Sequence, residues 1–183
     1  IVTIIEKAFS LVKNSDFEHV DEKGIGVSIL GRANVGKSLL LNHLLQKNRS
    51  LVSEIPGTTR DPIDSFCIRG DYTYRFIDTA GIRKKSRKSI SKNEVISMLF
   101  SYRSILRSDL CILMIDANEG PLTIDSQIAS QITESGKSCL IAINKWDMLE
   151  KETKTFKEMV LDIREKLPQI KFAPILSISA LTG

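Results

Sequence analysis

One segment of the sequence has the composition and spacing of a phosphate-binding loop. Residues Gly31–Ser38 read GRANVGKS and fit the pattern GxxxxGK[ST], between an apolar run at Gly26–Leu30 and a helical pattern at Lys37–Gln46. Glycines allow the backbone to curl until successive N–H groups point at phosphate oxygens. Lys37 is expected to reach the β- and γ-phosphates of a nucleotide, and the Ser38 hydroxyl is expected to bind Mg²⁺. The residues predicted to surround the phosphates are Gly31, Arg32, Ala33, Asn34, Val35, Gly36, Lys37 and Ser38.

A second segment, Asn144-Lys145-Trp146-Asp147, follows the apolar run Cys139–Ile143 and indicates which base is bound. The carboxylate can accept two hydrogen bonds from guanine, one from the ring N–H and one from the exocyclic amine. Adenine lacks this donor pair and would leave Asp147 unpaired, at a cost of about 1.5–3 kcal/mol for each lost charged hydrogen bond. Lys145 can lay its stem along the base, and Asn144 can join neighbouring loops. The alternative, an ATPase or nucleotide kinase with the same phosphate loop, is disfavoured by Asp147.

Between these two segments, Asp78-Thr79-Ala80-Gly81 follows the predicted strand Tyr72–Ile77. The Asp78 carboxylate is expected to hold Mg²⁺, through water, and the Gly81 N–H is expected to meet the γ-phosphate. A DxxG sequence alone is common, so its position between the phosphate loop and the guanine segment carries the assignment.

Two further assignments rest on their place in the same series. The segment Pro56–Asp61 (PGTTRD) lies between the first helix and the second strand, where a loop would fold over the phosphates. Thr59 is the predicted second protein ligand of Mg²⁺, with Thr58 as the alternative. Backbone contacts to guanine are expected from three residues after the last strand, Ser179, Ala180 and Leu181.

The elements that position these segments alternate between strand and helix patterns. The predicted strands are Gly26–Leu30, Ser65–Ile68, Tyr72–Ile77, Asp109–Ile115, Ser138–Ile143 and Ala173–Ile178. After the first helix, helical patterns lie near Val95–Leu106, Thr123–Thr133 and Lys154–Leu167. Such alternation predicts an α/β fold with a mostly parallel six-stranded sheet and helices on both faces. Right-handed crossovers then bring the loops after the strands to one edge, where ligands bind.

Composition adds limits but no chemistry. The 183 residues carry a formal net charge of +4 and 42% hydrophobic residues, as expected of one α/β domain with its own core. The three cysteines show no metal-ligand spacing and are expected to be reduced core thiols, consistent with a cytoplasmic location. No apolar run has the length of a membrane span, so no membrane partner is expected.

Taken together, GRANVGKS, PGTTRD, DTAGIRKK and NKWD resemble the translation-factor-like branch of the Ras-like P-loop GTPases. Within that branch the series is most similar to the second GTPase domain of the EngA (Der) family. The resemblance implies binding of GTP and GDP, hydrolysis of GTP, and a role in assembly of the large ribosomal subunit, with rRNA or the ribosome as partner. Era-type and MnmE-type GTPases, which share parts of the first two motifs, are the alternative families.

The resemblance also implies a division of the chain. Residues 1–24 are expected to be a leader helix and linker from the end of a preceding domain, and residues 25–183 the GTPase domain. A neighbouring GTPase domain and a KH-like domain are expected in the full-length protein. The helix that usually follows the last strand is expected to be absent from this chain.

Ile82 occupies the position after DTAG where Ras-type enzymes place a water-orienting glutamine, and its side chain cannot orient water. Asn34 resembles the asparagine that helps to hold K⁺ beside the phosphates in potassium-activated GTPases. The resemblance therefore implies K⁺ as a second cofactor, whereas the plainer interpretation is that Asn34 only caps a loop. The residues expected to contribute to hydrolysis are Lys37, Thr59, Gly81 and Asn34.

Residues 83–92 hold six basic side chains directly after the DTAG segment. This charge is consistent either with a nucleotide-gated contact to RNA or the ribosome, or with a solvated loop. Because Ile82 cannot orient water, a second function stays open. The chain could be a nucleotide-sensing module whose hydrolysis in isolation is negligible.

Overall fold

Six strands form a single sheet in the computed structural model of the chain, which describes residues 24–46, 64–69, 72–79, 101–149 and 156–182. The strands are β1 (Ile25–Leu30), β2 (Ser65–Arg69), β3 (Tyr72–Phe76), β4 (Leu110–Asp116), β5 (Ser138–Asn144) and β6 (Ile175–Ser177). Their spatial order is β2-β3-β1-β4-β5-β6. Among the described strands only the β2–β3 pair is antiparallel, so the predicted mostly parallel six-stranded sheet is confirmed.

The central strands are buried along their whole length because both faces of the sheet are covered. Every residue of β1 and of β4 is buried. Along β4, Leu110, Ile112 and Met114 join the core on one face, and Cys111, Leu113 and Ile115 join the core on the other. This alternation follows from the two-residue repeat of a strand.

The helices divide between the two faces. Helix α1 (Lys37–Gln46) contributes Leu40, Leu41 and Leu44 to the first core. Helices α2 (Thr123–Glu134) and α3 (Phe156–Lys166) cover the second core, with Ile132 and Ile163 fully buried. Residues 101–106 are also helical, and Ile105 packs into the second core. Helices on both faces of the sheet are thus confirmed.

The parallel connections bring the ends of four strands to one edge of the sheet. Chain segments leave this edge after Leu30, Phe76, Asp116 and Asn144, which are the last residues of β1, β3, β4 and β5. The predicted segments that begin at Gly31, Asp78 and Asn144 each start within two residues of one of these ends, and the segment Ser179–Leu181 follows β6. None of the described helices is long and apolar enough to cross a membrane.

Several sequence predictions lie outside the described residues. These are the leader up to residue 23, the segment at 56–61 with Thr58 and Thr59, the residues Ala80, Gly81 and Ile82, and the basic run at 83–92.

Candidate functional site

The phosphate loop is held in a conformation that two of its glycines make possible. Gly31 has φ 133° and Gly36 has φ 103°, backbone conformations that residues with a Cβ rarely adopt. A Cβ on Gly31 would lie 2.6 Å from the Met114 carbonyl oxygen, and one on Gly36 would lie 2.2 Å from Asn144 Nδ2. The neighbouring strands β4 and β5 therefore approach the loop too closely for any larger residue.

Lys37 is positioned by the same loop. It is the first residue of α1, and no acidic residue occupies the first turn of that helix. A cation at a helix N-terminus adds to the positive end of the helix dipole, which favours a nearby anion. Lys37 Nζ donates to the carbonyl oxygens of Gly31 at 2.7 Å and Arg32 at 2.5 Å, so the ammonium is held over the loop.

Asn144 joins the phosphate loop to the segment after β6. The side chain is buried, its Nδ2 donates to the Val35 carbonyl at 2.7 Å, and its Oδ1 accepts from the Ala180 N–H at 2.8 Å. These two hydrogen bonds satisfy both ends of the amide. The end of β5 is thereby fixed against two loops that are distant in sequence.

The remainder of the NKWD segment turns away from the sheet. Lys145 has a left-handed φ of 65°, and residues Trp146–Met148 form a single 3₁₀ turn. The Trp146 N–H donates to the Ile178 carbonyl at 3.1 Å, and its ring lies edge-on to Phe156 with centroids 5.7 Å apart. Asp147 is exposed, at the rim formed by this turn.

The segment after β6 is fixed through its backbone. Ala180 is buried, and its carbonyl oxygen lies 2.7 Å from His43 Nδ1 of helix α1. The Ser179 hydroxyl accepts from the Thr182 N–H, and Leu181 is exposed. No function for His43 could be predicted from the sequence, because its partner lies 137 residues away in the chain.

Asp78 stands at the end of β3 with a positive φ of 55°. Its N–H donates to Asp64 Oδ1 at 3.0 Å, and Asp64 Oδ2 accepts from Arg107 at 2.6 Å. The Thr79 and Ser65 hydroxyls lie 2.9 Å apart. Asp64 therefore fixes the backbone from which the Asp78 carboxylate projects, although sequence reasoning did not identify it.

Two further acidic residues missed by sequence reasoning support the nucleotide segments. The Lys145 ammonium lies 2.5 Å from Asp116 Oδ2, and Arg32 Nε lies 3.2 Å from Asp125 Oδ2. Burial acts to raise the pKa of Asp116, but Lys145 and the Asn118 N–H outweigh it and hold the pKa below its ordinary value. Burial dominates at Asp125 and raises its pKa, against the opposing effects of the Leu122 N–H and Arg32.

The described residues could bind Mg²⁺ only together with phosphate oxygens of a nucleotide. Among the described residues no group of three or more His, Cys, Asp or Glu could hold a metal. Ser38 at the start of α1 and Asp78 at the end of β3 offer one hydroxyl and one carboxylate, the oxygen ligands that Mg²⁺ prefers beside substrate phosphates. These residues fit a nucleotide-bound Mg²⁺ ion and do not form a free-standing metal cage.

Comparison with known proteins agrees with this arrangement. Residues 26–145 match a family model described as 50S ribosome-binding GTPase. The chain is 48% identical over 180 residues to GTPase Der of Caldanaerobacter subterraneus subsp. tengcongensis. This alignment covers 98% of this chain and 40% of that protein. The chain therefore spans less than half the length of this relative.

Solved structures show the same fold. Era in complex with MgGDPNP and nucleotides 1506–1542 of 16S ribosomal RNA matches 88% of this chain and 53% of its own, with a TM-score of 0.63 and 31% identity. Elongation factor SelB from Methanococcus maripaludis, bound to the GTP analogue GppNHp, has a TM-score of 0.65 over 90% of this chain and 32% of its own. At 21% identity the SelB likeness concerns the fold alone. With the family model matching most of its length, the chain belongs to the family of 50S ribosome-binding GTPases.

Proposed function

We propose that this chain binds GTP and GDP in the presence of Mg²⁺ and hydrolyses GTP to GDP and phosphate. The observation that carries the proposal is the pair of hydrogen bonds that Asn144 makes, donating to the Val35 carbonyl and accepting from the Ala180 N–H. These bonds join the segment that begins at Asn144 to the loop Gly31–Ser38, which supports a single nucleotide site formed by both. Membership of a GTPase family supports the same conclusion.

The phosphates are proposed to lie over the loop Gly31–Ser38. Lys37 Nζ, now bound by two loop carbonyls, would exchange them for β- and γ-phosphate oxygens. Ser38 and Asp78 would hold Mg²⁺, which when bound neutralises the charge that develops on the phosphate oxygens. Thr59 and Gly81 are proposed, from their sequence motifs alone, to complete the metal and γ-phosphate contacts.

The base is proposed to lie between Lys145 and the segment Ser179–Leu181. Asp147 is exposed at the rim and free to receive the two N–H groups of guanine. Backbone contacts to the base are expected from Ser179 and Leu181 rather than from Ala180, since both backbone polar groups of Ala180 already have partners.

Hydrolysis is proposed to be slow and stimulated by K⁺. Ile82 provides no hydrogen bond to water, and the exposed Asn34 stands in the phosphate loop with φ 63°. A cation held by Asn34 would supply positive charge that an arginine finger provides in other GTPases. Such a site would select an ion of matching size.

Multiple-turnover phosphate release with Mg²⁺·GTP tests this proposal. Release is expected to be faster in KCl than in NaCl at equal ionic strength, and Asn34→Ala is expected to remove the difference while GDP binding persists. Equal rates in both salts would contradict K⁺ activation. No turnover in either salt would favour the second candidate, a nucleotide-sensing module with negligible hydrolysis, which Ile82 also supports.

The wider role is proposed to be assembly of the large ribosomal subunit. The family description names 50S ribosome binding, and the related Era structure contains 16S ribosomal RNA. The basic run at 83–92 supports a phosphate-rich partner, whose affinity would fall as salt rises. A neighbouring GTPase domain, a KH-like domain and a cytoplasmic location belong to the same proposal.

A further inference from the structure

The segment between β4 and α2 contacts both nucleotide motifs through buried acids. This segment, residues 116–125, is named here the β4–α2 turn. Asp116 at its start is 5% exposed and Asp125 at its end is 0% exposed. Lys145 of the base-reading motif binds Asp116, and Arg32 of the phosphate loop binds Asp125.

The Arg32 side chain spreads over three groups of the turn. Its Nε contacts Asp125 Oδ2 at 3.2 Å, one terminal nitrogen donates to the Gly120 carbonyl at 3.0 Å, and the other contacts Glu119. Only 11% of the Arg32 side chain is exposed. The planar guanidinium fixes orientation as well as distance, so it holds the adjoining loop backbone in one position.

Asp125 is itself held in place. Its Oδ2 also accepts from the Leu122 N–H at 3.0 Å, which ties the carboxylate to the first turn of α2. Asp125 Oδ1 is buried and has no hydrogen-bond partner among the described residues. Burying a carboxylate with one unsatisfied oxygen lowers the stability of the fold. A contribution to stability therefore does not explain why Asp125 is present.

Asp116 is fixed to the end of the sheet. It lies opposite Asn144 in the β4–β5 register, and its Oδ1 accepts from the Asn118 N–H at 2.9 Å. The Ala117 N–H donates to the Asn144 carbonyl at 2.9 Å. Lys145 follows Asn144 and directly precedes the turn that carries Asp147. The Asp116 carboxylate therefore holds Lys145 at a fixed position next to that turn.

We propose that Asp116 and Asp125 are positioning residues for the nucleotide, Asp125 acting on the phosphates through Arg32 and Asp116 acting on the base through Lys145. The inference rests on the proposed function, since it concerns how the same nucleotide is held. The two acids act on different halves of the ligand, because their cation partners lie in different motifs. A residue that served stability alone would affect both halves equally.

Competition against fluorescent GDP by GDP, GMP and ADP separates the two halves. The ratio of GMP to GDP dissociation constants reports the β-phosphate, and the ratio of ADP to GDP constants reports the base. Asp125→Asn is expected to lower the GMP-to-GDP ratio about tenfold, and Asp116→Asn is expected to lower the ADP-to-GDP ratio about tenfold. Loss of one charged hydrogen bond is worth about this much. Each variant is expected to leave the other ratio within about twofold of wild type.

Glu119→Gln is the matched control for Asp125→Asn. Glu119 contacts the same Arg32 but is 58% exposed, so its loss is expected to change either ratio less than about twofold. Because each ratio is measured on one protein sample, a partly unfolded fraction cancels. A common loss of affinity with both ratios unchanged, or no loss at all, would overturn the inference while the proposed function stands. Failure of wild type to bind any guanine nucleotide would overturn the proposed function itself.

Discussion

At the scale of single residues, Gly36 shows why the phosphate loop admits so little variation. A Cβ there would meet Asn144 Nδ2 and displace the side chain that joins the loop to β5 and Ala180. The conformation at φ 103° adds backbone strain of about 1–3 kcal/mol for a residue with a Cβ.

Gly36→Ala is therefore expected to weaken GDP binding by at least about tenfold, since the phosphate loop and the base-reading segment lose their connection. Fluorescent GDP titration measures the loss. Gly136→Ala is the matched control: Gly136 also has a positive φ, of 63°, but a Cβ there meets nothing within 4 Å. The control should lose stability to unfolding and retain GDP affinity. Equal GDP affinity in both variants would show that the contact with Asn144 is unimportant.

The paired thiols of β4 and β5 give a pH-dependent prediction. Cys111 and Cys139 lie opposite each other, and burial raises the pKa of Cys111 from 9.0 to about 11. Burial also raises the pKa of Cys139. Because the unfolded thiol ionises first, the folded state is favoured at pH 8 and loses stability as pH rises from about 9 toward 11.

Cys111→Ala should make the fall in unfolding free energy between pH 8 and pH 10 shallower, by on the order of 1 kcal/mol. Urea unfolding at the two pH values measures this difference, with the other titrating groups common to both proteins. An identical fall in the variant would mean that the Cys111 thiol ionises as easily folded as unfolded.

The residue scale is also where sequence reasoning was least complete. Glycines, Lys37 and Asn144 were identified because their motifs fix both residue type and spacing. Asp116, Asp125 and Asp64 were not, because each acts through a partner remote in the chain, such as Arg32 at 93 residues from Asp125. Local pattern carries no information about such pairs.

At the scale of elements, continuous apolar character predicted the central strands to within one residue. The start of α1 at Lys37 was also predicted, since the phosphate loop ends where the helix begins. Strand β6 was predicted too long: it was expected at Ala173–Ile178 and is found at Ile175–Ser177. Pro174 has no N–H to donate, and only its carbonyl joins β5, by accepting from Ile141.

Helix α3 shows how the second core is stabilised independently of the site. Ile163 is fully buried in the second core, so Ile163→Ala is expected to cost about 2–5 kcal/mol of unfolding free energy. Leu161, on the same helix but 61% exposed, is the control and should cost below about 1 kcal/mol when changed to Ala. Denaturant unfolding measures both. Similar losses in the two variants would contradict the assignment of the buried face of α3.

At the scale of the whole molecule, the sheet gathers four motifs that are spread over most of the chain. The sequence predicted this gathering because parallel strands with right-handed crossovers place their ends at one edge. Ribosomal partners cannot be predicted in the same way, because the charged run at 83–92 specifies phosphate-rich surfaces in general and no particular RNA. Selectivity for guanine is therefore the proposed property of the nucleotide site that is most specific to this sequence.

Titration of fluorescent GDP, competed separately by GTP, GDP and ATP, measures this selectivity in wild type and in Asp147→Ala. The control variant is Glu165→Ala, which changes an exposed acid on α3. We expect competition by both guanine nucleotides and not by ATP, with binding lost in Asp147→Ala and retained in Glu165→Ala. The two charged hydrogen bonds that Asp147 is proposed to accept from the base would together be worth about 3–6 kcal/mol. Equal competition by ATP, or unchanged binding in Asp147→Ala, would contradict the assignment of the base reader and with it the proposed GTPase site.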